Sequence, residues 1–377
     1  MVRFLHTGDW QLGMTRHFLA TESQALYTAA RFDALRSIGR IARERACEFV
    51  VCCGDVFEFN EVDARTVARA CDALATIPVP VWLLPGNHDP LNTAAVFRSR
   101  TFLARKPAHV HVIENEAPIA VKPGIELVGA PWTSKRPLVD LVARAAASLE
   151  APLSGVRIVV AHGCVDTLSP DDSNPALISL AAAESAMNSG KLHYLALGDR
   201  HSLTDVGTSG RVRYAGTPEA TDYDEVAPGH VLVVDLDAHD VKVEAVRTGT
   251  WRFLREKAQL SGAADLALLQ ERLAGLDDKE HCIVKLDLEG TLTLSQKAEL
   301  DGLLEGARLT LGALEVSERG SDLKVVPDAV DFADLGLSGF AERAVERLRE
   351  RAGGTDPESL TARDALSLLL RLTKEAS

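Results

Sequence analysis

Val81-Trp82-Leu83-Leu84-Pro85-Gly86-Asn87-His88-Asp89 is a short apolar run that stops at a turn and ends on an amide, an imidazole and a carboxylate. An apolar run bounded by Pro and Gly reads as a buried strand. Other segments repeat the plan. Val2-Arg3-Phe4-Leu5 runs to Asp9-Trp10-Gln11, and Phe49-Val50-Val51-Cys52-Cys53 runs to Gly54-Asp55. Ile158-Val159-Val160 precedes Ala161-His162-Gly163, and Tyr194-Leu195-Ala196-Leu197 precedes Gly198-Asp199-Arg200-His201. Asp, Asn and His placed where strands run out are costly unless something demands them there. Convergence on hard or borderline metal ions is the cheapest account.

The 377 residues exceed one ordinary core and suggest two or three domains. With 46% hydrophobic residues and average charged content, the chain reads as folded and soluble. No apolar run approaches the ~18 residues of a membrane-spanning helix, so no membrane is expected. Functional residues begin at Asp9, leaving no room for a secretory signal. Six cysteines without CxxC spacing fit a reducing compartment, and the expected location is cytoplasmic. The net charge of −13 opposes non-specific nucleic-acid binding by the whole surface. Divalent ions would absorb part of that charge at a carboxylate cluster, so a nucleic-acid substrate stays open.

Residues 1–235 alternate strands with helices, expected at 62–77, 94–106 and 138–149, with a long helix opened by Thr21-Glu22-Ser23-Gln24 at capping-box spacing. Leu26, Leu35, Ile38 and Ala42 form its apolar face. Strands without helices follow over 211–246. The fold class is therefore α/β: two stacked mixed β-sheets flanked by helices, with a small α+β cap domain and a C-terminal helical tail. The expected boundaries are 1–250 for catalysis, 251–330 for the capping and DNA-binding domain, and 331–377 for the tail. In the tail, Leu337, Phe340, Ala344 and Leu348 form an apolar stripe, and Leu360, Leu366, Leu369 and Leu370 precede Arg371 and Lys374. No core is evident for these helices to cover. They either fold back on the catalytic domain or dock on a partner. The charges between Glu342 and Arg351 read as a solvated face with i,i+4 pairs.

Phosphodiester hydrolysis is slow because nucleophile and phosphate both carry or develop negative charge. Two divalent ions ~3.5–4 Å apart clamp the attacking and leaving oxygens. Asp55, at the turn after a buried strand, is the natural bridge. Asp9, Gln11 and His201 could complete one site, and Asn87, His162 and Asp199 the other. His88, beside a ligand, is placed to protonate the leaving oxygen, and Asp89 to orient that imidazole or a ligand.

The series HTGDWQLG, GDVFE, LLPGNHD, VVAHG and YLALGDRHS, within residues 6–202, resembles the calcineurin-like metallophosphoesterase superfamily. With its cap and helical tail the chain looks most like SbcD-type DNA repair nuclease subunits. The resemblance implies Asp9, Asp55, Asn87, His162 and His201 as ligands and His88 as catalytic acid. It also implies Mn²⁺ as the usual cofactor, with Mg²⁺ as the alternative, and an SbcC-like coiled-coil ATPase as partner; a homodimer is a further option. Two positions depart from the pattern, since Gln11 and Asp199 stand where the family usually has His. Exchanging two imidazoles for oxygen donors favours Mn²⁺ or Mg²⁺ over softer ions.

Each aspartate alone is most simply a helix cap or turn residue; jointly with Asn87, His88, His162 and His201 that account fails. Arg16 and His17 are candidate substrate contacts or a solvated loop, and Trp10 could stack on a base or simply pack. The expected activity is metal-dependent phosphodiester hydrolysis with DNA as substrate. The alternatives are a small nucleotide or phospholipid head group, or an assembly subunit with little turnover.

Overall fold

The computed structural model describes residues 1–151, 155–171, 173–326, 339–352, 354 and 356–375. It has two compact units, one of Met1–His17 and Gln24–Trp251, the other of Phe18–Ser23 and Arg252–Ser377.

The first unit runs β1 (Val2–Thr7), α1 (Thr21–Glu44, from Gln24 onward in this unit), β2 (Val50–Cys52), α2 (Ala64–Leu74), β3 (Val81–Leu83), α3 (Arg100–Arg105), β4 (Val110–Val112), β5 (Ile119–Lys122) and β6 (Ile125–Ala130). It continues with α4 (Leu141–Ala147), β7 (Val156–His162), α5 (Leu180–Asn188), β8 (Tyr194–Gly198), β9 (Thr204–Val206), β10 (Val212–Tyr214), β11 (His230–Leu236) and β12 (Val241–Arg247). Two six-stranded sheets result, ordered β12-β11-β1-β2-β3-β4 and β5-β6-β7-β8-β10-β9. Both are mixed. β1 to β4 are parallel, as are β6, β7, β8 and β10. The pairs β1–β11, β11–β12, β5–β6 and β9–β10 are antiparallel.

Near-continuous apolar runs explain why both faces of these strands are covered. Successive side chains point to opposite faces. Val51 and Cys53 therefore join Val2, Phe4, Ile158 and Val160 between the sheets, while Val50 and Cys52 pack under the helices with Phe32, Leu35 and Ile38. Val159 and Ala161 face the other way, under α4 and α5. The result is helix, sheet, sheet, helix. On α1 the buried positions include Tyr27, Phe32, Leu35 and Ile38, whereas Leu26 of the expected stripe is exposed. The expected helix over 94–106 is a 3₁₀ turn, Val96–Arg98, followed by the short α3.

The second unit runs β13 (Arg252–Leu260), α6 (Ala263–Ala274), β14 (Cys282–Thr293), α7 (Leu294–Arg308), β15 (Ala313–Val316), β16 (Asp322–Val326), α8 (Phe340–Ala352) and α9 (Pro357–Glu375). β13 and β15 flank β14 in parallel, and β16 pairs with the C-terminal half of β14. Thr293 and Gln296 form a reciprocal capping box that opens α7.

The tail helices do have a core to cover. Val345, Ala352, Ala362 and Leu366 bury against Leu294 and Ala298 of α7. The expected stripe is off by about one position on the helix: Val345 is buried while Phe340 is 82% exposed, and Leu337 lies outside the described residues. The side chains of Leu370, Arg371 and Lys374 also lie outside them. The i,i+4 pairing expected on α8 does not hold, because residues four apart carry the same sign: Glu342, Glu346 and Glu350, and Arg343, Arg347 and Arg351.

Leu366 is fully buried in that helical core. Leu366→Ala should cost roughly 2–5 kcal/mol of the second unit's stability, whereas Leu360→Ala, at a 55% exposed position, should stay within about 0.5 kcal/mol. Denaturant unfolding of both variants checks the pair.

Candidate metal centre

Five strands from two sheets deliver their C-terminal ends to one place. β1 leads to Asp9 and Gln11, β2 to Asp55, β3 to Asn87 and His88, β7 ends on His162, and β8 leads to Asp199 and His201. The first two turns are locked together, since the Asp9 N–H donates to the Gly54 carbonyl (3.0 Å) and the Gln11 N–H to the Asp55 carbonyl (2.8 Å). Asp9, Gln11, Asp55 and Asp199 all have positive φ, at 53°, 44°, 51° and 97°. Side chains other than glycine avoid that region, and such strain gathers where function demands it.

Asp9, Asp55 and His162 are buried, with ligating atoms all within 4.8 Å of one another. His162 Nδ1 lies 2.8 Å from the Cys53 carbonyl, to which it must donate. Its Nε2 then faces oxygens: Asn87 Oδ1 at 2.6 Å, Asp55 Oδ1 at 3.5 Å and Asp199 Oδ1 at 3.5 Å. Asp9 stands on the other side, its Oδ1 3.8 Å from His162 Nδ1 and 3.0 Å from the Asp199 N–H that it accepts. His201 Nε2 lies 3.2 Å from Gln11 Nε2, and the buried Gln11 Oε1 has no hydrogen-bond partner.

The electrostatics favour positive charge here. Burial pushes Asp9 up to about 7, against the pull of His201 and His162 and with Asp55 adding to the rise. Burial alone would lower the His162 imidazole, yet Asp55, Asp199 and Asp9 raise it to about 9. Facing oxygens tolerate one another only around positive charge. A proton on His162 supplies one unit of it; a divalent ion among these carboxylates, amides and imidazoles supplies two. The orphaned Gln11 oxygen adds a free ligand atom, and the donor set is that of Mn²⁺, Mg²⁺ or Zn²⁺ chemistry. The residues fit a divalent metal.

His88 sits at the rim, its side chain 36% exposed. Nδ1 lies 2.8 Å from the Glu58 carbonyl and so carries a hydrogen, which leaves Nε2 towards the centre, 3.9 Å from Asp55 Oδ2. Asp89 does not orient that imidazole. Its carboxylate accepts the Gly86 N–H (2.8 Å) and the Phe57 N–H (3.0 Å), tying the turn after β3 to the turn after β2. Trp10 is 1% exposed and donates Nε1–H to Thr7 (3.0 Å), so it packs and has no face for a base. Arg16 places its guanidinium on the Thr221 carbonyl, with Nε buried and unpartnered, and His17 is exposed.

Residues 2–175 match the family model of calcineurin-like phosphoesterases. Over those residues the chain is similar to calcineurin-like phosphoesterases. The match takes in Asp9, Asp55, Asn87 and His162 and stops short of Asp199 and His201. No curated protein matches the chain. Among solved structures it is similar to TT1561 of Thermus thermophilus (11% identity, TM-score 0.41, covering 65% of this chain and 99% of that one). It is also similar to a dimetal phosphatase from Danio rerio (12%, 0.38, 66% and 99%). Purple acid phosphatase PPD1 from yellow lupin (Lupinus luteus) seeds is a third (12%, 0.37, 66% and 51%). The family-model match and the buried Asp9–Asp55–His162 cluster both fit metal-dependent phosphoesterase chemistry.

Three supporting side chains escape the sequence reading. Trp132, just after β6, donates Nε1–H to the His162 carbonyl (2.7 Å). Thr217 donates to the Asp9 carbonyl (3.0 Å). Glu225 lies 2.9 Å from His201 Nδ1. Trp132 follows a strand end, the same signal as the boxes, but β6 itself is not read as a strand; Glu225 sits in an acidic loop with no signal of its own.

Gly54 is at φ +93°, and a Cβ there would stand 2.2 Å from His162 Nδ1. Gly54→Ala must therefore displace the imidazole or the turn. With strain of roughly 1–3 kcal/mol, Mn²⁺ uptake measured by equilibrium dialysis should weaken about tenfold or more. Unchanged uptake would show that His162 is no ligand.

Proposed function

We propose that this chain is a two-metal phosphodiesterase that cleaves DNA as the nuclease subunit of an SbcCD-like complex, with Mn²⁺ as its preferred ion. The observation that carries the hydrolytic part is the convergence of Asp9, Gln11, Asp55, Asn87, His162, Asp199 and His201 around one cation-demanding centre, with His88 Nε2 at its rim. Asp55 belongs to both ligand groups: Asp9, Gln11 and His201 on one side, Asn87, His162 and Asp199 on the other. Divalent ions held there would supply Lewis-acid polarisation and charge neutralisation of a phosphate diester. The protein's own part is to aim. The turns fix the ligands before substrate arrives, and the Glu58 carbonyl holds the His88 ring so that Nε2–H can pass to the leaving oxygen as the P–O bond breaks.

DNA is favoured as substrate by the order of the five boxes and by the second unit that follows the phosphoesterase domain. The ATPase partner is favoured by Phe340, Leu360 and Leu368, large apolar side chains left 82%, 55% and 47% exposed on α8 and α9 while the opposite face is buried. An exposed apolar row on a helix suits a partner helix or groove.

Asp55→Ala should remove hydrolysis of a generic phosphodiester and sharply lower metal content; a variant that keeps two equivalents of Mn²⁺ would sink the bridging assignment. His88→Ala should keep its metal and lose ~10²–10⁴ in turnover. Linear and hairpin DNA, a nucleoside cyclic phosphate and a glycerophosphodiester, assayed side by side with Mn²⁺, decide the substrate class, and turnover of the small diesters alone refutes the nuclease reading.

Placing Glu at positions 340, 360 and 368 together should abolish co-purification with a coiled-coil ATPase while small-diester hydrolysis stays at the unmodified rate. Retained association would remove α8 and α9 from the interface.

A further inference from the structure

The two imidazoles of the centre are held by different kinds of acceptor. His162 donates Nδ1–H to a neutral backbone carbonyl, that of Cys53, at 2.8 Å. His201 Nδ1 faces a carboxylate, with Glu225 Oε1 at 2.9 Å and the Thr221 hydroxyl at 2.7 Å. Glu225 is itself fixed: its side chain is 6% exposed, Oε2 accepts the Thr221 N–H (2.8 Å), and the Thr221 hydroxyl donates to Oε1. The carboxylate can only accept, so His201 carries its hydrogen on Nδ1 and presents the Nε2 lone pair to Gln11 and the centre.

A carboxylate behind a ligating imidazole raises its donor strength and locks its tautomer, which a neutral carbonyl does less well. The stronger support stands behind the imidazole that shares its side of the centre with Gln11, a neutral amide and a weak ligand.

We propose that Glu225 is a positioning residue that offsets the weak Gln11 ligand, selectively tightening the ion held by Asp9, Gln11 and His201. This rests on the ligand grouping proposed above. Glu225 touches neither substrate nor metal; it acts through His201.

The test is calorimetric titration of the full chain with Mn²⁺ alone. Glu225→Gln keeps size but replaces the carboxylate with an amide, whose single oxygen can accept at only one of the two positions that Glu225 fills. It should weaken one of two Mn²⁺ equivalents about 10–100-fold and leave the other within about twofold. Glu225→Asp, which draws the carboxylate back by one methylene, should give an intermediate loss. In a Gln11→His background the same Glu225→Gln change should cost several-fold less. The ¹⁵N shifts of His201 should lose the pure Nδ1–H tautomer signature in Glu225→Gln, which a merely structural role would not produce. Equal weakening of both ions, no weakening, or the same loss in both backgrounds overturns the proposal. Should the unmodified chain bind no Mn²⁺, it is the metal centre itself that fails. Should Glu225→Gln not fold, Glu225→Asp and the His201 shifts of the unmodified chain decide alone.

Discussion

Asp9 and Asp55 are carboxylates with essentially no access to water, packed around a buried His162 at the edge of two sheets. Burying like charges is among the costliest things a fold does unless opposite charge is supplied. That constraint organises the first unit. It explains why left-handed backbone is tolerated at Asp9, Gln11, Asp55 and Asp199, and why the turns after β1 and β2 are cross-linked by main-chain bonds. It also explains why Asp89 spends its carboxylate on two backbone N–H groups instead of on His88. Position, not reactivity, is what Asp89 contributes.

The sandwich supplies what such a centre needs. A parallel strand delivers its C-terminal end to the same edge as its neighbour, so five strands from two sheets can each bring one or two candidate ligands to one point. The ligands are then carried by short turns on rigid strands, and a small error in one turn is resisted by the others. Arg31 extends this support behind the first turn: its buried guanidinium donates to the Trp10 carbonyl (3.0 Å) and the Tyr27 hydroxyl (2.7 Å). Trp10 therefore belongs to the foundation of the ligand turn and not to the substrate surface.

The boxes were legible because an apolar run followed by Gly and a ligand residue is a local signal, carried by neighbours in sequence. Those same runs, apolar on both faces, also made the stacked sheets readable. β5 and β6 carry no such signal, because Ile119–Lys122 mixes exposed and half-buried positions at a sheet edge and Ile125–Ala130 ends on Gly-Ala without a polar box. Trp132, which follows β6, is illegible for the same reason. Glu225 and Thr217 were illegible for another reason: they reach the ligands through loop geometry, which leaves no periodic trace. In the tail, the apolar stripe is legible to about one position, but which face is buried is set by α7, a partner that sequence spacing on α8 does not reveal.

The departures at Gln11 and Asp199 have a further consequence when the two sides are set side by side. In the ligand grouping proposed above, one side would offer an imidazole (His201), a carboxamide (Gln11) and a terminal carboxylate (Asp9), the other His162, Asn87 and Asp199, with Asp55 shared. The exchange of two imidazoles thus leaves two chemically matched sets in place of two unlike ones. Such matched sets, each with one borderline imidazole and otherwise oxygen donors, would give no reason for one side to select a softer ion than the other. What still distinguishes the sides is their support: a backbone carbonyl behind His162, a carboxylate behind His201. With like ligands in front, any difference in affinity between two ions held there would fall to the groups that stand behind the ligands.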